Sequence, residues 1–316
     1  MVRQQRDMMT VEELNESIAD GTINEVIRVA EARQVKALSR IADTVCERPG
    51  ARLVLVSGGS AAGKTTTAKR LCTQLRVNGR AALHVSTDDY FVGDARNPRD
   101  ADGNLDYEHV DCVDAGPLAD DINALFRGEA IPRRRFDFVN HCPDFRGDYA
   151  SLPEDGFVVL EGLHALNPKL SAGVREAAAF KVFVEPIPSI DLFAGIMPSQ
   201  SDSRFLRRLV RDNQFRKMNP AETLSLWPKV LEGERKWIDP FKGDADAVFD
   251  SYLVYELAVL KPYAGGLLER ARLELGEGSQ IMNMIRLFSA VDAASPEAVP
   301  GDSIIRETIG GSQLEY

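Results

Sequence analysis

An α/β fold, built as a doubly wound parallel sheet of about five strands with helices on both faces, is predicted by two observations. Five short runs are apolar throughout, and helical patterns lie between them. The runs are RLVLVS at 52–57, ALHVS at 82–86, FVVLE at 157–161, KVFVE at 181–185 and DAVFDS at 246–251. Continuous Val, Leu and Phe without a polar alternation marks strands buried on both faces, the signature of a parallel sheet. Helical patterns at 64–77 and 117–127 supply the covering layers.

Residues 1–50 read as an N-terminal helical extension. Thr10 followed by Glu13 makes a capping box, Gly21 ends that helix, and Thr22 with Glu25 caps the next. Ile23, Val26, Ile27, Ala30, Leu38, Ile41, Ala42 and Val45 recur at helical intervals and predict a buried stripe. A brace packed on the main domain and an arm for a partner both fit that pattern. After Pro49-Gly50 the remaining chain, 51–316, reads as one domain. Its tail, about 252–316, includes YELAVLKPYAGGLLERARLEL, which is helical and expected to pack on the sheet.

With 316 residues, 44% hydrophobic and 27% charged, the chain can bury a full core. A formal net charge of −10 argues against a broad nucleic-acid surface, which needs a large excess of Lys and Arg. Cys46, Cys72, Cys112 and Cys142 form no CxxC pair, so neither a zinc site nor a disulfide framework is expected, and a reducing cytoplasm fits best. Met1 to Asp20 is polar and no run reaches bilayer length, so no membrane partner is expected. The partner expected is a small-molecule substrate, with a homo-oligomer left open.

The first strand runs into SGGSAAGKTTT, whose spacing of Gly58, four residues, Gly63, Lys64, Thr65 is that of a nucleotide phosphate loop. Strand, Gly-rich turn and helix follow one another, so consecutive backbone N–H groups and a helix N-terminus can face a phosphate. The cradle comprises Gly58, Gly59, Ser60, Ala61, Ala62, Gly63, Lys64, Thr65 and Thr66. Lys64 is expected on the β- and γ-phosphates and Thr65 on Mg²⁺, which makes this a P-loop NTPase fold. The loop by itself suits a GTPase switch, a motor or transporter ATPase, or a small-molecule kinase.

Further motifs narrow the choice. VSTDDYF brings Asp88 and Asp89 to the C-terminal edge of the second strand, where ligands bind in such sheets. There Asp88 suits a base for an attacking hydroxyl, a water-mediated Mg²⁺ ligand or a helix cap. FVVLEGLHAL brings Glu161 to the same edge, within reach of a metal hydration shell. The DxxG and NKxD motifs of a GTPase are absent. RFLRRLVRDNQFRK spaces Arg204, Arg207, Arg208 and Arg211 along one helical face, with Arg216 just beyond. That face reads as a lid over 199–220 closing on a transferring phosphoryl group, or as a solvated charged surface. His141, in FDFVNH, suits either a structural or a ligand-facing role.

Together these residues resemble the uridine kinase and phosphoribulokinase family of P-loop kinases from about Arg52 onward. GGSAAGKTT, DDYF, YEHVD, FDFVNH, VVLEGLHALNP, RRLVRD and ADAVFDSYLVYELAVLK occur in the family's order. The chain also resembles the kinase portion of bacterial proteins described as nucleoside kinases, in which that portion follows domains like those of threonyl-tRNA synthetase. The resemblance implies ATP and Mg²⁺ as cofactors, Asp88 as catalytic base, Lys64 and Thr65 on ATP and Mg²⁺, and Glu161 assisting the metal. It implies an acceptor-site insert at about 90–150, in which Glu108 falls where uridine kinases place a ribose-binding aspartate. His141 matches a base-contacting histidine, and Phe91 and Tyr107 join the substrate-binding set. Arg208, Arg211 and Arg216 match lid arginines, Arg208 and Arg211 acting in catalysis and Arg216 on the nucleotide.

Departures bear on the acceptor. Phe136 stands where uridine kinases use a pyrimidine-reading tyrosine, Met218 where the lid offers another arginine, and Lys217 where it has glycine. Val92 stands where phosphoribulokinases carry basic residues, although Arg96 and Arg99 lie close by. The leading expectation is an ATP- and Mg²⁺-dependent phosphotransferase acting on a hydroxyl of a nucleoside or related ribose-containing acceptor. A sugar or sugar-phosphate kinase is the nearest alternative. An ATP-binding regulatory protein without acceptor phosphorylation is the alternative from another class.

Overall fold

All five apolar runs become strands of a single parallel sheet. The computed structural model describes residues 8–137, 140–175, 178–192 and 196–315. Residues 1–7 of the expected extension, and Phe138 and Val139 of FDFVNH, lie outside the described residues. In chain order, β1 (Met9–Thr10) leads into α1 (Val11–Ala19) and α2 (Ile23–Glu47). Next come β2 (Ala51–Ser57), α3 (Lys64–Val77), β3 (Ala82–Ser86) and α4 (Ala115–Phe126). An antiparallel hairpin of β4 (Ile131–Asp137) and β5 (Cys142–Ala150) precedes β6 (Phe157–Glu161). The short α5 (Pro168–Ser171), β7 (Ala178–Glu185) and β8 (Ile190–Asp191) follow. The chain continues through α6 (Gln200–Arg216), α7 (Pro220–Trp237), β9 (Ala247–Asp250), α8 (Glu256–Leu275), α9 (Ser279–Ala290) and α10 (Arg306–Ile309).

The sheet order is β3-β6-β2-β7-β9, with every pairing parallel. In β2, Val54 and Val56 face α2 and α3, packing with Leu71 and Phe180. Leu53 and Leu55 face the opposite layer, with Leu118 and Ile122 of α4. Both faces are covered, which explains why the strands lack polar alternation. From β2 the chain runs to the edge strand β3, returns to β6 beside β2, and then crosses to β7 and β9 on the other side, which puts a switch point at the C-terminal ends of β2 and β6. Such a switch point is where open α/β sheets bind ligands.

A second body of helices stands beside the sheet. Its core joins Leu14 of α1, Ile27 of α2, Phe205 and Leu209 of α6, Trp227 of α7, and Leu257 and Leu260 of α8. The first tail helix, α8, therefore packs chiefly on α6, α7 and α9 instead of on the sheet, correcting the expectation from its pattern, whereas Ile304 further on does join the core beneath the sheet. Apolar patterning reports that a face is buried but not what covers it. The stripe on α2 is corrected as well. Between Ile27 and Leu38 its buried positions are Glu31 and Gln34, and Ile23, Val26 and Ala30 pack only at the margin of the core. The sequence-predicted cap at Thr22 does not form, because the Thr22 hydroxyl donates to Asp20 instead. A parallel pairing of β1 with β8 carried no sequence signal, being two residues long.

The capping box at α1 is present. Thr10 accepts from the Glu13 backbone N–H at 3.2 Å, and Glu13 accepts from the Thr10 N–H at 2.8 Å. Thr10→Ala is expected to lower stability by about 1 kcal/mol, read from the midpoint of urea unfolding. An unchanged midpoint would mean that α1 is held by Val11 and Leu14 alone.

Candidate active site

The phosphate loop sits where β2 ends, and its backbone is shaped by residues far away in sequence. Gly63 adopts φ +88°, a left-handed conformation that turns the chain into α3. Gly59 is demanded by a close approach: a Cβ there would lie 1.5 Å from the Arg204 guanidinium. Arg204 forms a two-pronged pair with Glu234 at 2.6 and 2.7 Å, and Glu234 also accepts from the Ser60 backbone N–H at 2.9 Å. Lys64 folds back over the loop and donates to the Gly59 carbonyl at 3.1 Å. The loop is thus pre-curled, with Lys64 lying across it.

Beside Lys64 lie two carboxylates. Thr65 and Ser86 each donate to Glu161 at 3.0 Å, so the ends of β3, β6 and α3 meet at one side chain. Burial and the charge of Asp88 push Glu161 up to about 7. Burial likewise raises Asp88, against the pull of Lys64, Arg216 and Arg211. Asp88 follows β3 directly, in a single 3-10 turn at Thr87–Tyr90, where its own N–H donates to Ser86 at 3.3 Å. His84 lies 3.9 Å from Glu161, but burial depresses it to about 3, so it is neutral and adds no positive charge there.

The residues fit a hard divalent cation. The buried Glu161 and the half-buried Asp88, carboxylates that repel each other, form with the Thr65 hydroxyl an all-oxygen donor set whose charges a cation relieves. Among the described residues no group of three His, Cys, Asp or Glu side chains is arranged to hold a metal by itself. That matches a cation held by one or two carboxylates plus phosphate oxygens and water.

The arginine helix divides its charges between two tasks. Arg204 and Arg207 are buried in ion pairs, Arg204 with Glu234 and Arg207 with Glu256. These two hold α6 against α7 and α8, which corrects the reading of one continuous charged face. Arg208, Arg211 and Arg216 all lean on the fully buried Asp212, at 3.1, 2.9 and 3.5 Å. Arg208 also donates to the Ser60 hydroxyl at 2.9 Å, so α6 already touches the phosphate loop. Arg211 and Arg216 both act electrostatically on Asp88. Three guanidiniums gathered around a single carboxylate leave a positive excess beside the loop.

On the other side of Asp88, the 90–150 region presents a mixed wall. Glu108 lies against α7, where a Cβ on Gly233 would meet the Glu108 Cβ at 2.4 Å. Its Oε2 is buried and has no hydrogen-bond partner. Burial pushes Glu108 up to about 7, with Glu234 and Asp106 adding to the rise and Arg208 and Lys64 opposing it. Phe136 of β4 meets Phe91 edge to face, with ring centroids 5.4 Å apart. His141 stands half-exposed at φ +52°, its Nδ1 3.0 Å from the Tyr107 hydroxyl, which itself donates to Asp94 at 2.6 Å. The structure thus gathers Lys64, Thr65, Asp88, Glu161, Arg208, Arg211 and Arg216 around the loop. Glu108, Phe91 and Phe136 line the neighbouring wall, and Tyr107 and His141 stand at its rim.

Sequence reasoning missed four anchoring acids: Asp94, Asp212, Glu234 and Glu307. Asp212 was recoverable from its spacing of four to both Arg208 and Arg216. The other three act across long sequence separations, to which no local pattern points.

A family model described as Phosphoribulokinase / Uridine kinase family matches residues 53–258 of this chain. The chain belongs to that family. Its kinase family membership makes it a phosphotransferase acting on a small molecule. Among relatives in the phosphoribulokinase/uridine kinase family, it is 31% identical over 195 residues to a uridine kinase of Deinococcus deserti, covering 61% of this chain and 84% of that protein. It is 28% identical over 157 residues to a uridine kinase of Leuconostoc citreum, covering 50% and 66%. A solved structure described as a possible uridine kinase from Bacillus stearothermophilus is 17% identical, with a TM-score of 0.45 over 70% of this chain and 100% of that one. Among the described residues, no helix is long and apolar enough to cross a membrane.

Proposed function

We propose that the protein transfers the γ-phosphoryl group of ATP, with Mg²⁺, to a hydroxyl of a nucleoside or a related ribose-containing acceptor. The observation that carries this reading is the place of Asp88: a carboxylate in the turn that ends β3, at the C-terminal edge of the sheet, with the charges of Lys64, Arg211 and Arg216 acting on it. A carboxylate there is suited to take the proton of an attacking hydroxyl while the cations around it neutralise the phosphoryl group. Mg²⁺ held by Thr65, Glu161 and Asp88 would supply charge neutralisation on the phosphates. Arg208 and Arg211 would hold the transferring group in line, and Arg216 would steady the nucleotide. Most of the acceleration would come from this positioning and charge balance.

A nucleoside is favoured over a phosphorylated sugar by the charge of the acceptor wall. The unpaired, buried Glu108 oxygen is an acceptor for hydroxyls and repels an anion. Two nearby basic side chains lean on acids, Arg96 on Asp114 and Lys229 on Asp100, and Arg99 donates to the Gly103 carbonyl at 2.7 Å. Phe136 offers a ring without the hydroxyl that reads a pyrimidine, so discrimination among bases should be loose. The test is ADP release with Mg²⁺·ATP across nucleosides, free sugars and sugar phosphates. Turnover is expected with at least one nucleoside and higher than with any sugar phosphate. Preference for a sugar phosphate overturns the acceptor assignment, and ATP binding without acceptor-dependent turnover favours a regulatory protein.

A further inference from the structure

The family match ends at residue 258, yet the chain that follows returns to the phosphate loop. Ile304 is buried directly against Gly63: a Cβ on that glycine would lie 2.6 Å from the Ile304 side chain. Three residues on, Glu307 accepts from the Thr66 hydroxyl at 3.3 Å and lies 3.8 Å from the Arg211 guanidinium. Ala61, Gly63, Arg211, Ile304 and Glu307 border one narrow crevice. The segment is firmly anchored. Ser303, fully buried, donates to Glu31 of α2 at 2.5 Å, and Tyr255 donates to the same oxygen at 2.6 Å. Arg306 caps the backbone carbonyls of Pro296 and Val299 at 2.7 and 2.6 Å.

A glutamate in this position is electrostatically unexpected. It stands between Thr66, which the phosphate-loop motif assigns to the nucleotide, and Arg211, which the proposed function assigns to the transferring phosphoryl group. We propose that the C-terminal segment at 302–309 is part of the nucleotide site, and that Glu307 sets nucleotide affinity by holding Thr66 and Arg211 with a carboxylate where a phosphate would otherwise be held. This rests on the nucleotide-binding part of the function proposed above, but not on the identity of the acceptor. When nucleotide enters, the Glu307 side chain swings away from Thr66 and Arg211, while Ile304 stays packed on Gly63 and keeps the loop curled. Nucleotide binding therefore works against an internal anion, and the cost falls on affinity for nucleotide rather than for acceptor.

The experiment is calorimetric titration of Mg²⁺·ATP into the full chain, comparing the wild type with Glu307→Gln and Glu307→Ser. Gln keeps the shape and can still accept from Thr66; Ser removes the group altogether. Both are expected to bind ATP about two- to fivefold more tightly, the size typical of one partly exposed charge contact. The acceptor KM is expected to stay unchanged. Glu297→Gln makes the same change in net charge at an exposed site and is expected to leave ATP affinity where it was. Unchanged or weakened ATP binding in both Glu307 variants overturns the proposal, as does equal tightening in Glu297→Gln. Failure of the wild type to bind ATP overturns the nucleotide reading itself.

Discussion

Asp88→Asn is expected to retain ATP binding and to lose phosphoryl transfer by about two to four orders of magnitude. Asn fills the same space at the end of β3 and preserves the 3-10 turn, so the loop geometry should survive. What disappears is the proton acceptor. Asn also removes the negative charge that Lys64, Arg211 and Arg216 now share, and it relieves Glu161 of a repelling neighbour. ATP affinity should therefore hold or rise while transfer collapses, a split that general loss of folding cannot produce. Single-turnover transfer and ATP titration, measured on the same sample, check it. Transfer at the wild-type rate would remove Asp88 from the chemistry and return the base to solvent.

Glu108→Gln is expected to weaken the acceptor reaction while making the protein more stable at neutral and alkaline pH. In the folded chain Glu108 is pushed from 4.5 up to about 7, chiefly by burial. The folded state then holds more protons than the unfolded state between those values, so this group's contribution is full below pH 4.5 and is lost as pH rises towards 7. Gln carries no such dependence. The variant should match the wild type at pH 4 and exceed it by about 1–2 kcal/mol at pH 8, with allowance for partial solvent access. The same change replaces a charged acceptor for hydroxyls with a weaker one, and kcat/KM for a ribose acceptor should drop about 10- to 100-fold. Urea unfolding at the two pH values and acceptor kinetics at pH 8 give independent readings. A stability gain without a kinetic loss would place Glu108 outside the acceptor site.

Much of the fold was legible because local signals and tertiary placement agreed. β2 and β6 are buried on both faces, so apolar continuity marked them as strands of the sheet interior, and Gly63-Lys64-Thr65 fixed where α3 begins. Asp88 and Glu161 could be placed at one edge because each ends a parallel strand, and parallel strands share their C-terminal side. The helix at 200–216 was harder. Its five arginines look alike in sequence, yet Arg204 and Arg207 are structural only because Glu234 and Glu256 arrive from distant helices. The same limit hid Glu31 and Gln34, polar residues buried in α2 because Tyr255, Ser303 and Arg70 meet them there. Local pattern locates a buried face, whereas a buried polar group is explained only by its partner.

The contacts of Arg70 carry a consequence for how the enzyme could be shortened or grafted. This α3 side chain, one turn and a half beyond Lys64, is buried against Gln34 at 3.1 Å and Glu31 at 3.6 Å, with Asp302 at 4.0 Å. Its partners come from both flanks of the region shared with relatives. A fragment trimmed to that shared region would strand a guanidinium in the interior beside the catalytic helix. Borrowing the core without its two flanks would thus import an unsolved charge, and any transplant needs all three pieces together.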